Sequence, residues 1–116
     1  MPPEADKDRD KAFLFDIVHG ARLAVDYVEG VTREQFDGDS KTQDAVIRRL
    51  TVIGEATKRL SVGFRDRHPE IPWQQMAGMR DVIVHEYDRI DLDTVWNVLR
   101  RELPDLLPQL DRIVET

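Results

Sequence analysis

Apolar residues recur every three or four positions along most of this chain. Leu14, Ile17, Val18, Ala21, Val25 and Val28 fall on one side of a helix. Gly30 follows where such a helix should stop, and Thr32 and Gln35 have the spacing of a short capped turn before the Asp37-Gly38-Asp39-Ser40 break. A second helix is predicted from about Lys41. Its stripe of Val46, Leu50, Ile53, Thr57, Leu60 and Phe64 alternates steps of four and three, the seam of a helix lying nearly parallel to its neighbours. Ala45, Gly54 and Ala56 permit close approach beside it.

His68-Pro69-Glu70-Ile71-Pro72-Trp73 interrupts this periodicity, because each proline removes an amide donor and biases its predecessor toward extended backbone. A short helix is predicted from about Trp73, and Asp91 or Asp93 can cap a last one built on Leu92, Val95, Trp96 and Leu99. Pro104 should kink or restart that helix, with Leu106, Leu107, Leu110, Ile113 and Val114 continuing its apolar face. The brief Val82-Ile83-Val84 run is the one strand candidate. The pattern predicts an all-α antiparallel bundle of four to five helices over residues 9–116, preceded by a flexible polar tail over 1–8.

Composition narrows the class. At 116 residues, 41% hydrophobic and 34% charged, the chain has the make-up of one soluble domain. It has no cysteine, so disulfides and thiolate metal sites are excluded, and no apolar run reaches membrane-spanning length. The start lacks the order of a signal peptide, and a cytoplasmic location is expected. The net charge of -6 argues against a generally basic, nucleic-acid-coating surface. Yet residues 41–80 carry 8 basic and 4 acidic side chains, while 1–40 carry 5 and 10 and 81–116 carry 4 and 9. Arg48, Arg49, Lys58, Arg59, Arg65, Arg67 and Arg80 therefore form either a local groove for a polyanion or a solvated helix face.

The densest chemistry lies in Arg80-Asp81-Val82-Ile83-Val84-His85-Glu86-Tyr87. Arginine's planar fork suits phosphate oxygens, histidine moves a proton near neutral pH, and tyrosine offers a stacking face and a modifiable hydroxyl. On a regular helix Asp81, four residues before His85, could orient the imidazole. The same helix would put His85 about 140° round from Arg80. Either the helix ends near His85, or arginine's reach and a second copy close the gap. His19 and His68 read as a surface or core histidine and a loop-capping residue, and Trp73 and Trp96 as core or interface aromatics. No metal site or cofactor is expected: the zinc-protease, calcium-loop and phosphate-loop patterns are all incomplete.

Taken in order, Ile53-Gly54-Glu55-Ala56, Arg59-Leu60-Ser61, His68-Pro69, Ile71-Pro72-Trp73, Gly78-Met79-Arg80-Asp81, His85-Glu86-Tyr87, Trp96 and Leu103-Pro104 resemble the HepT-like branch of the HEPN domains. That resemblance implies a metal-independent endoribonuclease, the toxin of a toxin-antitoxin pair, acting as a homodimer whose motifs meet in a shared cleft. It implies catalytic roles for Arg80 and His85, with Asp81 in support; Glu55, midway along the second helix, is either a cleft contact or a surface residue. It also implies that a small MntA-type nucleotidyltransferase antitoxin, using ATP, attaches AMP to Tyr87. The alternatives are a non-catalytic HEPN companion of a nucleotidyltransferase and an inert structural bundle.

Overall fold

The computed structural model of the chain describes residues 3–79, 81, 84, 85 and 89–115, with backbone alone at 3–5, 84, 85 and 89. Among the described residues the elements run α1 (Pro3–Tyr27), α2 (Arg33–Asp37), α3 (Ser40–Arg59), α4 (Val62–Arg67), α5 (Trp73–Ala77), β1 (Val84–His85), β2 (Arg89–Ile90), α6 (Leu92–Asn97), a π-helical stretch (Val98–Glu102) and α7 (Leu103–Glu115). The fold is all-α, with one minimal antiparallel ladder that pairs Val84 with Ile90 and His85 with Arg89. Helix α1 begins within the stretch expected to be tail; Pro3 is tolerated there because a first-turn amide has no intrahelical partner.

Helices α1 and α3 form an antiparallel spine. Leu14, Ile17, Ala21 and Ala24 of α1 and Val28 just after it are buried, as are Val46, Leu50, Ile53, Ala56 and Thr57 of α3. Each fully buried branched aliphatic side chain contributes about 1.5–3 kcal/mol of transfer free energy. Gly20 lets the helices approach: a Cβ there would lie 3.3 Å from Ile53 Cγ1 and 3.6 Å from the Arg49 carbonyl. Thr57 satisfies its buried hydroxyl by donating to the Ile53 carbonyl at 2.7 Å. Helix α7 closes the core over α1 with Leu103, Leu106, Leu107 and Leu110.

The caps follow the sequence closely. Gly30 takes φ 73°, the left-handed turn that glycine adopts without a Cβ clash, just after α1 ends. Thr32 Oγ1 accepts from the Gln35 amide at 3.1 Å while Gln35 Oε1 accepts from the Thr32 amide at 3.0 Å, a reciprocal capping box. Asp39 caps α3 by accepting from the Thr42 amide (3.1 Å) and hydroxyl (2.6 Å), which hold its carboxyl below the usual range, the hydroxyl most strongly. Of the two candidate caps for the last helix, Asp91 serves, accepting from the Thr94 amide at 3.1 Å. Asp93 instead pairs with Arg33 at 2.7 Å, which also holds Asp37 at 2.7 Å.

The structure departs from the predicted long second helix at Leu60, whose ψ of 141° ends α3. The Ser61 amide donates to Asp10 Oδ1 at 2.8 Å rather than into the helix, and the Ser61 hydroxyl donates to Asp10 Oδ2 at 2.7 Å. That hydroxyl also accepts from the Phe64 amide at 3.1 Å and so starts α4. Asp10 is 4% exposed, and these bonds satisfy its carboxylate. Leu60 and Phe64 remain buried across the break.

At the other end, Pro104 has no amide to donate, and the helix before it widens. The Leu103 amide donates to the Val98 carbonyl five residues back. Within this stretch Arg100 lies over the Trp96 ring at 4.6 Å and donates to the Val28 carbonyl at 2.9 Å and to that of Val31, tying the end of α1 to the C-terminal helices.

Candidate active site

The connector after α4 is fixed before the chain reaches the Arg80 motif. His68 terminates α4, as expected of a loop-capping residue, and its carbonyl accepts from Trp73 Nε1 at 2.8 Å. Trp73 is buried against the Phe64 ring at 5.8 Å, and Ile71, Met76 and Met79 are buried around it. Met79 thus anchors the residue immediately before the motif. The Asp81 amide donates to the Gly78 carbonyl at 3.0 Å, and its carboxylate is exposed.

Four residues beyond Asp81, the backbone is extended. Val84 and His85 form β1 opposite Arg89 and Ile90, so the helix ends before His85, one of the two possibilities open in the sequence. The helical four-residue relation between Asp81 and His85 does not exist here. A β-branched residue on each strand, Val84 facing Ile90 across the ladder, favours this pairing over another helical turn. Arg80, Tyr87 and the side chain of His85 lie outside the described residues, as do Val82 and Ile83.

A groove of about 610 Å³ opens beside Met79. Its floor is Met76, Met79, Val98, Leu103 and Leu106, and its rim carries Gln74, Gln75, Gln109, Glu102 and Asp105. Among the described residues lining it, none carries a positive charge.

Other sequence candidates separate clearly. Glu55 is exposed on α3 between buried Gly54 and Ala56. Trp96 is half-buried with its ring 5.1 Å from that of Phe36, so both tryptophans pack with the core. His19 is exposed and stacks on Phe15. Arg48 and Lys58 to Arg67 are spread along α3 and α4 rather than gathered at one point, ten residues of helix spanning about 15 Å. Among the described residues no group of three or more metal-ligating side chains forms a site, and no helix is long and apolar enough to cross a membrane. The sequence reading missed Phe15, although an aromatic one position off the apolar stripe of α1 is a visible signal.

Residues 17–113 match the family model described as "Ribonuclease HepT-like", which takes in the second part of α1, all of α3 and the motif. The chain belongs to the HepT-like ribonuclease family. A relative from Thermococcus cleftensis named "Probable ribonuclease HepT" is 37% identical over 107 residues, covering 92% of this chain and 97% of that protein. "Putative RNase MJ0127" of Methanocaldococcus jannaschii is 36% identical over 105 residues, 90% of this chain and 87% of its own length. "Putative RNase TTE0752" of Caldanaerobacter subterraneus subsp. tengcongensis is 33% identical over 105 residues, 90% and 94% of the two chains. No solved structure matches the chain significantly.

Proposed function

We propose that this HepT-like protein is a metal-independent endoribonuclease and that Arg80 and His85 perform the cleavage. The observation that carries the reading is the family match over 17–113, which spans a chain that keeps both residues. Cleavage without a metal requires a base for the 2′-hydroxyl proton, an acid for the leaving 5′-oxygen and a cation for the charge on the phosphorane. The 2′-oxygen attacks phosphorus, the bond to the 5′-oxygen breaks, and a cyclic phosphate and a free 5′-hydroxyl result. His85 accepts the first proton or supplies the second, alone or in alternation with its counterpart in a homodimer, while Arg80 holds the scissile phosphate. Asp81, exposed at the entry to the hairpin, supports His85 electrostatically. Labelled RNA incubated with the purified chain in excess EDTA should be cut, and His85→Ala and Arg80→Ala should each abolish cutting. Intact RNA with the parent chain would make it a non-catalytic companion.

The toxin role belongs to the same proposal. Tyr87 is the acceptor for AMP from a partner nucleotidyltransferase in the cytoplasm, and each AMP adds a phosphate charge and a bulky base two residues from His85. Co-expression with such a partner should raise the mass of the chain by whole AMP units and leave Tyr87→Phe unchanged. An adduct mapped to another residue overturns this assignment.

A further inference from the structure

At the end of the spine away from the capping box, a second groove of about 470 Å³ runs between the first turns of α1, α4 and the end of α7. Lys7, Lys11 and Phe15 come from α1 at four-residue spacing, so they share one face, with about 6 Å of rise between successive members. Arg67 enters from α4, its guanidinium 5.9 Å from the Phe64 ring that forms part of the floor. Phe15 is 64% exposed and lies parallel to His19, with centroids 5.6 Å apart and planes 8° from parallel. This is an open aromatic platform rather than a core side chain. Among the described residues, Lys7, Lys11 and Arg67 form no ion pair. The carboxylate in the groove, Asp10, is already occupied by the Ser61 amide and hydroxyl.

We propose that this groove binds a single-stranded segment of the RNA substrate outside the cleavage site, one base stacking on Phe15 and neighbouring phosphates lying on Lys7, Lys11 and Arg67. Three cations without counter-ions around a flat exposed ring match a polyanion with planar bases. An apolar segment of another protein would call for the ring and leave the cations unused. On a chain of net charge -6 such a local patch also steers an anion to one end of the molecule. The proposal rests on the ribonuclease reading for the identity of its ligand but is tested by binding, without turnover.

The test measures fluorescence anisotropy of a labelled oligouridylate of about a dozen nucleotides with the full chain carrying His85→Ala to prevent cleavage. In that background Phe15→Ala should weaken binding about 10-fold. Lys7→Ala combined with Lys11→Ala should lower the slope of log affinity against log salt by about 1.4. Retention of both effects by a parent chain that cleaves no RNA supports the groove while the nuclease reading fails. Cleavage by the parent together with unchanged binding in both variants overturns the groove and leaves the nuclease reading standing. Loss of a dimer in Phe15→Ala with unaltered RNA affinity assigns the face to a second copy and also overturns the proposal. Absence of any binding by the His85→Ala chain overturns it as well.

Discussion

The spine of α1 and α3 and the stretch from Gly78 to Asp91 are held in place by different means. The spine is continuous: stripe meets stripe, Gly20 brings the backbones close, and every inward position is buried. The described residues of the second stretch are held by Met79 in the core, by the short ladder of Val84 with Ile90, and by the Asp91 cap. Among its described side chains between those anchors, Asp81 and Ile90 are exposed. Burial fixes the frame, and Asp81 and Ile90 are left outside it. Substitutions in the two regions should therefore fail in different ways.

The sharpest way to break this contrast is to change the motif and find the fold damaged. Arg80→Ala or His85→Ala should lower RNA cleavage by about 10³-fold while shifting unfolding free energy by less than about 0.5 kcal/mol; a large loss of melting temperature in either would merge the two regions. Conversely, Ile53→Ala should cost about 3 kcal/mol in urea unfolding and leave cleavage per folded molecule as it was. A smaller effect sharpens the boundary. Asp10→Ala strands the half-buried Ser61 amide and should cost about 1 kcal/mol, read in the same unfolding experiment.

The weakest expected effect concerns pH. The folded Asp39 carboxyl is held below its ordinary value, chiefly by the Thr42 hydroxyl. Its contribution is present above the unfolded value of about 4 and is lost as pH falls through the folded one. Thr42→Val should thus show a shallower decline of melting temperature on acidification from pH ~5 to ~3 than the parent. An identical decline would remove Asp39 from the account of α3.

How much of this was legible follows from which forces are local. The α3 stripe is legible because steps of four and three leave no other face for Val46, Leu50, Ile53 and Thr57. Ala24 is fully buried whereas Val18 and Val25 of the predicted stripe are only partly so; residue size is a poor guide to which side of a helix meets its partner. The break at Leu60 was invisible because its cause, Asp10, lies 51 positions from Ser61. Pro104 announced a disturbance without specifying a widened turn. Val82-Ile83-Val84 is too short a run for periodicity to separate helix from strand. Residue types in the motif indicated the chemistry, whereas the extended backbone at His85 depends on pairing with residues that follow it.

The π-helical stretch at Val98–Glu102 holds one residue more per turn than its flanks need. Deleting a single residue there would let the turn relax to ordinary pitch with Val95 and Leu106 still directed inward, whereas the same deletion inside α3 would rotate everything downstream by about 100°. The turn before α7 is therefore a slot where chain length can vary by one without disturbing the leucines that seal α1.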